Sequence, residues 1–471
     1  MGEPLVLALD QGGHGSRAIV FDAGGRALAR AHHAVGESRP ADDRVEQDPE
    51  EIVRSLRRAV KDAMKFLGKR GVELRAAGLA TQRSSVVAWD KTTGGALTPV
   101  ISWQDRRAQD RIDAVQAHQE FVRTTTGLRL SPHYGASKLA WMLAESMPVA
   151  AALREGRLAF GPLSSFLAFR LLDERPFVAD PANASRTLLW NVATRVFDPA
   201  LCDLFGVPIG ALPKCVPTRA DHGSLDVGAR KLPMHVITGD QSAALFVGGE
   251  PALDRAYVNF GTGAFVQRAF TDRTLLAPRL LKSVVFADDT RVTSVLEGTV
   301  NGAGSALQYA VDELGLSESA PDLEAWLARE LDPPLFVNGV SGLAAPYWIP
   351  DLESRFVGEG TREAKLVAVV ESVVFLVRAI LDEMELVLPA PNCIQVGGGL
   401  AQLDGLCQRL ANLSGVPVTR ADDPEATARG LAWLVHESAN FAAPQAREFL
   451  PLPDDALRER HERLRSELES H

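Results

Sequence analysis

The chain has 471 residues, 46% hydrophobic and 23% charged, with a formal net charge of −10. That length exceeds what one hydrophobic core usually supports, so two domains of roughly 200 to 250 residues are expected, 1–245 and 246–471. The excess of acid argues against nonspecific nucleic-acid binding, which needs clustered Lys and Arg to displace counterions.

Met1-Gly2-Glu3-Pro4 leads straight into a strand, with neither a basic segment nor a long apolar one, which predicts a cytoplasmic chain without a leader. No run reaches about 18 apolar residues, so no membrane span is expected. The strand Leu5-Val6-Leu7-Ala8-Leu9 ends at Asp10, residues 11–17 turn tightly, and Ala18 to Asp22 return as a second strand. Small residues in that turn let backbone N–H groups approach an anion. A turn at Gly24-Gly25 opens a third strand, Ala27 to Val35. The helix that follows has Asp48 as N-cap, Pro49 in its first position, and Glu50 with Glu51 against the positive end of the helix dipole. Ile52, Leu56, Val60, Ala63 and Leu67 keep core-facing spacing until Gly68. Arg54, Arg57, Arg58 and Lys61 read as its solvated face.

Strands are predicted at Ala76 to Ala80 and Val86 to Asp90, and a charged helical stretch opening at residues 100–107. Residues 120–230 show weaker periodicity and read as an elaboration of the first domain. The strand His235 to Gly239 then ends at Asp240, and Gln241-Ser242-Ala243-Ala244 begins a helix. Phosphoryl transfer needs one acid near metal and phosphates, and another to orient or deprotonate the attacking hydroxyl. Asp10 and Asp240, both at strand ends, are candidates for that pair.

The second half repeats the opening theme: a strand at Ala256 to Phe260, a turn at Gly261-Thr262-Gly263, and a returning strand at Ala264 to Gln267. Ser294 to Gly298, a helix from Gly304 to Leu314, a long helix of about Ala364 to Val387, the strand Ile394 to Val396, Gly397-Gly398-Gly399 and a helix through Leu413 follow. This is a structural duplication without an obvious sequence repeat. Cys202, Cys215, Cys393 and Cys407 form neither a CxxC pair nor a metal-ligand spacing, which points to a reduced chain.

Taken in order, Asp10-Gln11-Gly12 with residues 16–22, Gln82-Arg83, Trp89-Asp90-Lys91 with Trp103-Gln104-Asp105-Arg106-Arg107, Gly239-Asp240-Gln241, Gly261-Thr262-Gly263, Leu296-Glu297-Gly298, residues 342–348 and Gly397-Gly398-Gly399 resemble the FGGY carbohydrate kinases, in the pattern of the glycerol kinases. The resemblance implies an α/β fold of two ribonuclease-H-like (actin-like ATPase) domains with a cleft between them. It implies transfer of the γ-phosphate of ATP, with Mg2+, to a hydroxyl of a small polyol or keto-sugar, with substrate on the first domain and nucleotide on the second. A homodimer is an expectation of the same kind. Asp240 would be the base and Asp10 would organise the metal. Arg83, Ser84, Trp103, His133, Tyr134 and Gln241 would line the substrate pocket. Gly12, Gly13, His14, Ser16 and Arg17 would meet phosphates, with Gly261, Thr262 and Gly263 facing them from the second domain. Gly304, Gln308, Gly398 and Gly399 would flank the adenosine.

Plainer roles stand beside these: an N-cap for Asp240, a turn carboxylate for Asp10, core for Trp103, a surface ion pair for Arg83, a hairpin residue for Thr262. The family pattern has two threonines where this chain has Gly13 and His14, a glutamate at Ser84, a tyrosine at His133 and an asparagine at Leu403. A carboxylate acceptor replaced by a short alcohol leaves more room and less negative charge, which favours a polyol longer than glycerol, or a ketose. Two alternatives are a catalytically weak or inactive relative that binds nucleotide or sugar as a sensor or partner protein, and an actin-like or chaperone-like ATPase.

Overall fold

The computed structural model describes residues 4–228, 230–272, 275, 277–313, 320–329, 332–421, 425–437, 441–442 and 445–470. They form two compact units. The first holds Met1–Pro251 with Ser283–Ser294 and Pro424–Ala443, and the second holds Ala252–Lys282, Val295–Asp423 and Pro444–His471. The segments 283–294 and 424–443 therefore group with the first half of the chain, although they lie in the second half of the sequence.

In the first unit the strands Leu5–Gly12, Gly15–Phe21 and Ala27–Ala34 form an antiparallel meander. On its other side Leu5–Gly12 pairs in parallel with Leu74–Thr81, which pairs in parallel with Lys231–Gly239. Leu5, Leu7 and Leu9 on one face and Val6 and Ala8 on the other are all buried, as strands covered on both faces require. One cover is the helix Pro49–Leu67. Its Asp48 side chain accepts from Glu50 N, and Ile52, Leu56 and Ala63 are fully buried. The other side receives the helix Ala426–His436, which packs on Leu5–Gly12 and Leu74–Thr81.

The second unit repeats the plan. Arg255–Phe260 pairs antiparallel with Ala264–Phe270 and in parallel with Cys393–Gly397, itself parallel to Val418–Ala421. The helix Arg362–Glu385 is apolar around much of its circumference and runs through the core. Its Glu371, 1% exposed, accepts from Arg409 and Arg460, which ties the helices Asp404–Ser414 and Asp455–Glu469 to it.

The helical stretch expected to open at residues 100–107 is not formed. Val100–Ile101 is a short strand, residues 103–107 turn, and the helix is Gln109–Asp113. The Asp105 carboxylate accounts for the turn by accepting from Val45 N and Arg107 N, bonds that compete with helix formation. The helix expected from Gly304 is described to Glu313, and Leu314 lies outside the described residues. All four cysteines are free thiols. Among the described residues no helix is long and apolar enough to cross a membrane.

Candidate active site

The parallel ladder of the first unit brings its two acids to one edge. Asp10 pairs with Ala80, and Ala80 pairs on its other side with Thr238, so Asp240 stands just past the same level, two strands away. Neighbouring strands lie about 4.8 Å apart, which sets a backbone separation of roughly 10 Å. Asp10 is buried, and Arg17 Nη1 donates to its Oδ2 at 3.0 Å. Burial first, and the Asp240 carboxylate second, push the Asp10 carboxyl up to about 6, against the lowering pull of Arg17. Burial likewise raises Asp240, opposed by Arg83 and Arg186. The N-cap of the helix Asp240–Ala244 is Gly239, not Asp240, whose Oδ1 accepts from Gln241 N at 2.7 Å.

The turn after Asp10 is held from below. Gln47 Nε2 donates to the Gly13 carbonyl at 2.6 Å and Val35 N to the His14 carbonyl at 3.0 Å. Gly13 faces open space, and His14 is exposed at the tip. Ser16 is not brought to the turn surface: it is buried, and its hydroxyl shares a 2.7 Å bond with Ser55.

Arg83, a buried residue and not a surface ion pair, lies over Gly239, where a Cβ would come within 2.5 Å of its Cγ and Cδ. Its guanidinium donates to Gln241 Oε1. Ser84 is buried with φ +64°, a left-handed conformation that costs a non-glycine residue about 1–2 kcal/mol, and its Oγ has no hydrogen-bond partner among the described residues. Trp103, partly buried, is anchored by its backbone N–H, which donates to Ser85 Oγ at 3.1 Å. Its ring lies 5.5 Å from His133, whose ring lies 5.0 Å from Tyr134. Burial, with Lys138, Arg186, Arg83 and Arg106 around it, holds the His133 ring well below its ordinary value.

Arg186, buried and placed over the Tyr134 ring, joins this group and was not singled out from the sequence. The available signal was Asp180-Pro181, a helix N-cap with proline after it, which sets the turn Pro181–Ala184 that delivers Arg186.

In the second unit the predicted glycines meet at the end of the strand Arg255–Phe260. Gly304 N donates to the Gly261 carbonyl and Ser305 N to that of Thr262, both at 3.0 Å. A Cβ on Gly304 would sit 2.9 Å from Gly261 O, and one on Gly263 2.7 Å from Val300 O. Gly398, at φ +91°, lies against the Phe260 carbonyl, whereas Gly399 faces open space. Thr262 is exposed at the hairpin tip. The Gln308 amide donates to Asp312, one turn along its own helix. Leu403 packs on the core of this unit.

Residues 5–247 match the N-terminal domain, and residues 256–436 the C-terminal domain, of the FGGY family of carbohydrate kinases. The chain is 34% identical to the glycerol kinase of Rhizobium rhizogenes, over 96% of each chain. It is 36% identical to that of Alkalilimnicola ehrlichii, covering 94% of this chain and 92% of the relative. The chain belongs to the FGGY family of carbohydrate kinases. The crystal structure of Plasmodium falciparum glycerol kinase with ADP has the same fold, with a TM-score of 0.90 at 20% identity, covering 99% of this chain and 98% of the other.

As an FGGY kinase the protein is a glycerol-kinase-like ATP:carbohydrate phosphotransferase acting on an alcohol group, with ATP and Mg2+. The donor set fits that metal. Among the described residues no cluster of three or more His, Cys, Asp or Glu could enclose an ion. Mg2+ ordinarily keeps several waters and takes one or two carboxylates plus phosphate oxygens, so a single acid such as Asp10, three residues before open-faced Gly13, would suffice on the protein side.

Proposed function

We propose that the protein phosphorylates a primary hydroxyl of a polyol longer than glycerol, or of a small keto-sugar, with Asp240 as the base. The observation that carries this reading is the shared edge of Asp10 and Asp240 in one parallel ladder, with Arg83, Gln241 and Arg186 grouped around the second acid. Carboxyl ends of parallel strands are where such folds place their ligands. Asp240 takes the hydroxyl proton as that oxygen bonds to phosphorus and ADP leaves. Its raised proton affinity suits it to that transfer. Asp10 would hold Mg2+ through water and phosphate oxygens, where the ion supplies neutralisation of the transferring group. The amides of Gly12 and Gly13, with Arg17, would meet phosphate on the same side, and Gly261 to Gly263 with Gly304, Gly398 and Gly399 would take the nucleotide.

The acceptor would lie among Arg83, Ser84, Trp103, His133, Tyr134 and Gln241. The short Ser84 side chain and its unpartnered hydroxyl favour an acceptor with one more hydroxyl-bearing carbon than glycerol. A coupled ADP-release screen over glycerol, erythritol, xylulose and ribulose tests this. The expected result is a higher kcat/KM for a tetritol or pentulose than for glycerol. Preference for glycerol, or ADP release independent of any acceptor, would overturn it.

A further inference from the structure

Lys138, on the helix Gly135–Glu145, has no solvent exposure. Its Nζ donates to the Ser102 carbonyl at 2.7 Å and to the His133 carbonyl at 2.9 Å. The first carbonyl precedes Trp103 and the second belongs to His133, so one amine joins the two segments whose rings stand 5.5 Å apart. An amine sealed from water is costly, and a Met or Leu would fill the space at lower cost. Burial, with Arg107 and Arg106 nearby and Asp105 opposing them, brings its pKa down to about 7. A neutral amine has two N–H groups and the ammonium three, so both carbonyls are satisfied in either charge state. The tie therefore does not depend on titration.

We propose that Lys138 is a positioning residue for acceptor binding, its amine setting the spacing of Trp103 and His133 by clamping the Ser102 and His133 carbonyls. Removing the donors would strand two carbonyls and release both segments, without touching the acceptor itself. This rests on the reading that Trp103 and His133 line the acceptor pocket.

The test compares Lys138→Met, Trp103→Ala and the double variant of the full chain, with KM for the acceptor and for ATP measured separately. Lys138→Met is expected to raise the acceptor KM about 10-fold or more, leave the ATP KM within about 2-fold, and show little further effect in the Trp103→Ala background. An unchanged acceptor KM in Lys138→Met, while Trp103→Ala raises it, would overturn the inference, as would an equal rise in both KM values. If Trp103→Ala leaves the acceptor KM unchanged, the pocket reading fails instead. Should Lys138→Met not fold, Lys138→Gln keeps a donor but is too short to span both carbonyls, and the same outcomes decide.

Discussion

Asp10 and Asp240 are separated by 229 intervening residues in sequence but by a single strand in the sheet: Ala80 pairs with Asp10 on one side and with Thr238 on the other. The proximity is electrostatic as well as geometric, since the Asp240 carboxylate is the second largest cause, after burial, of the upward shift at Asp10. Two acids that share an edge and compete for ionisation can divide metal binding and proton transfer between them.

Asp240→Asn is expected to lower kcat by about 10³-fold, near the middle of what positioned general bases contribute. Because the acid is desolvated in the native state, the variant should unfold at the same temperature as the wild type or a higher one. Steady-state kinetics with a thermal melt checks both; native turnover would remove Asp240 from the chemistry.

Ser84→Glu is expected to shift preference toward glycerol, by about 10-fold or more in kcat/KM relative to erythritol or xylulose. The residue is buried at φ +64°, so a longer side chain there must extend into acceptor space or displace a neighbour. Competition assays with paired acceptors measure the ratio directly. No change in it would show that Ser84 does not set acceptor length.

Gly430→Ala tests how the late helix supports the acid. A Cβ on Gly430 would collide with the Ala243 carbonyl, in the helix that Asp240 begins, and Thr427 Oγ1 donates to the Asp240 carbonyl at 3.4 Å. Alanine's helix propensity favours the variant by roughly 1 kcal/mol, but a backbone clash in packed structure costs about 2–3 kcal/mol, so net destabilisation wins. Urea unfolding should show the loss, and kcat should fall with it.

Asp180, whose partner Asn183 accepts from Thr81 Oγ1, supplies a pH test on a third buried carboxyl. It is fully buried, and burial, offset in part by its bonds to Asn183 and Ser164, raises its carboxyl from 3.8 to about 6. The folded value lies above the unfolded one, so its contribution to stability is complete below the unfolded value and is lost as pH rises through about 6. Asp180→Asn, which cannot titrate, is expected to gain on the wild type between pH 4 and pH 7, by up to roughly 3 kcal/mol. Unfolding free energies at pH 5 and pH 8 check the sign; a difference that does not grow with pH would refute it.

Local chemistry was enough to read much of this protein. The unbroken apolar run Leu5 to Leu9, the cap at Asp48, and the glycines after Asp10 and Phe260 act over a few residues, so the strands, the first helix and the turns are legible. Where a local preference met a distant partner, the partner won: Asp105 bonds to Val45 N, and the helical stretch expected to open at residues 100–107 starts instead at Gln109, after a turn. Ser16 looked like a phosphate ligand until Ser55 claimed its hydroxyl. Arg186 and Lys138 carry no periodic signature, because their importance lies in which carbonyls and rings surround them. The placement of Ala426–His436 against the first sheet, and the shared level of Asp10 and Asp240, follow from strand register and close helix contact at Gly430. Register and contact between distant segments arise from burying a common core, so they have no local cause for a linear reading to detect.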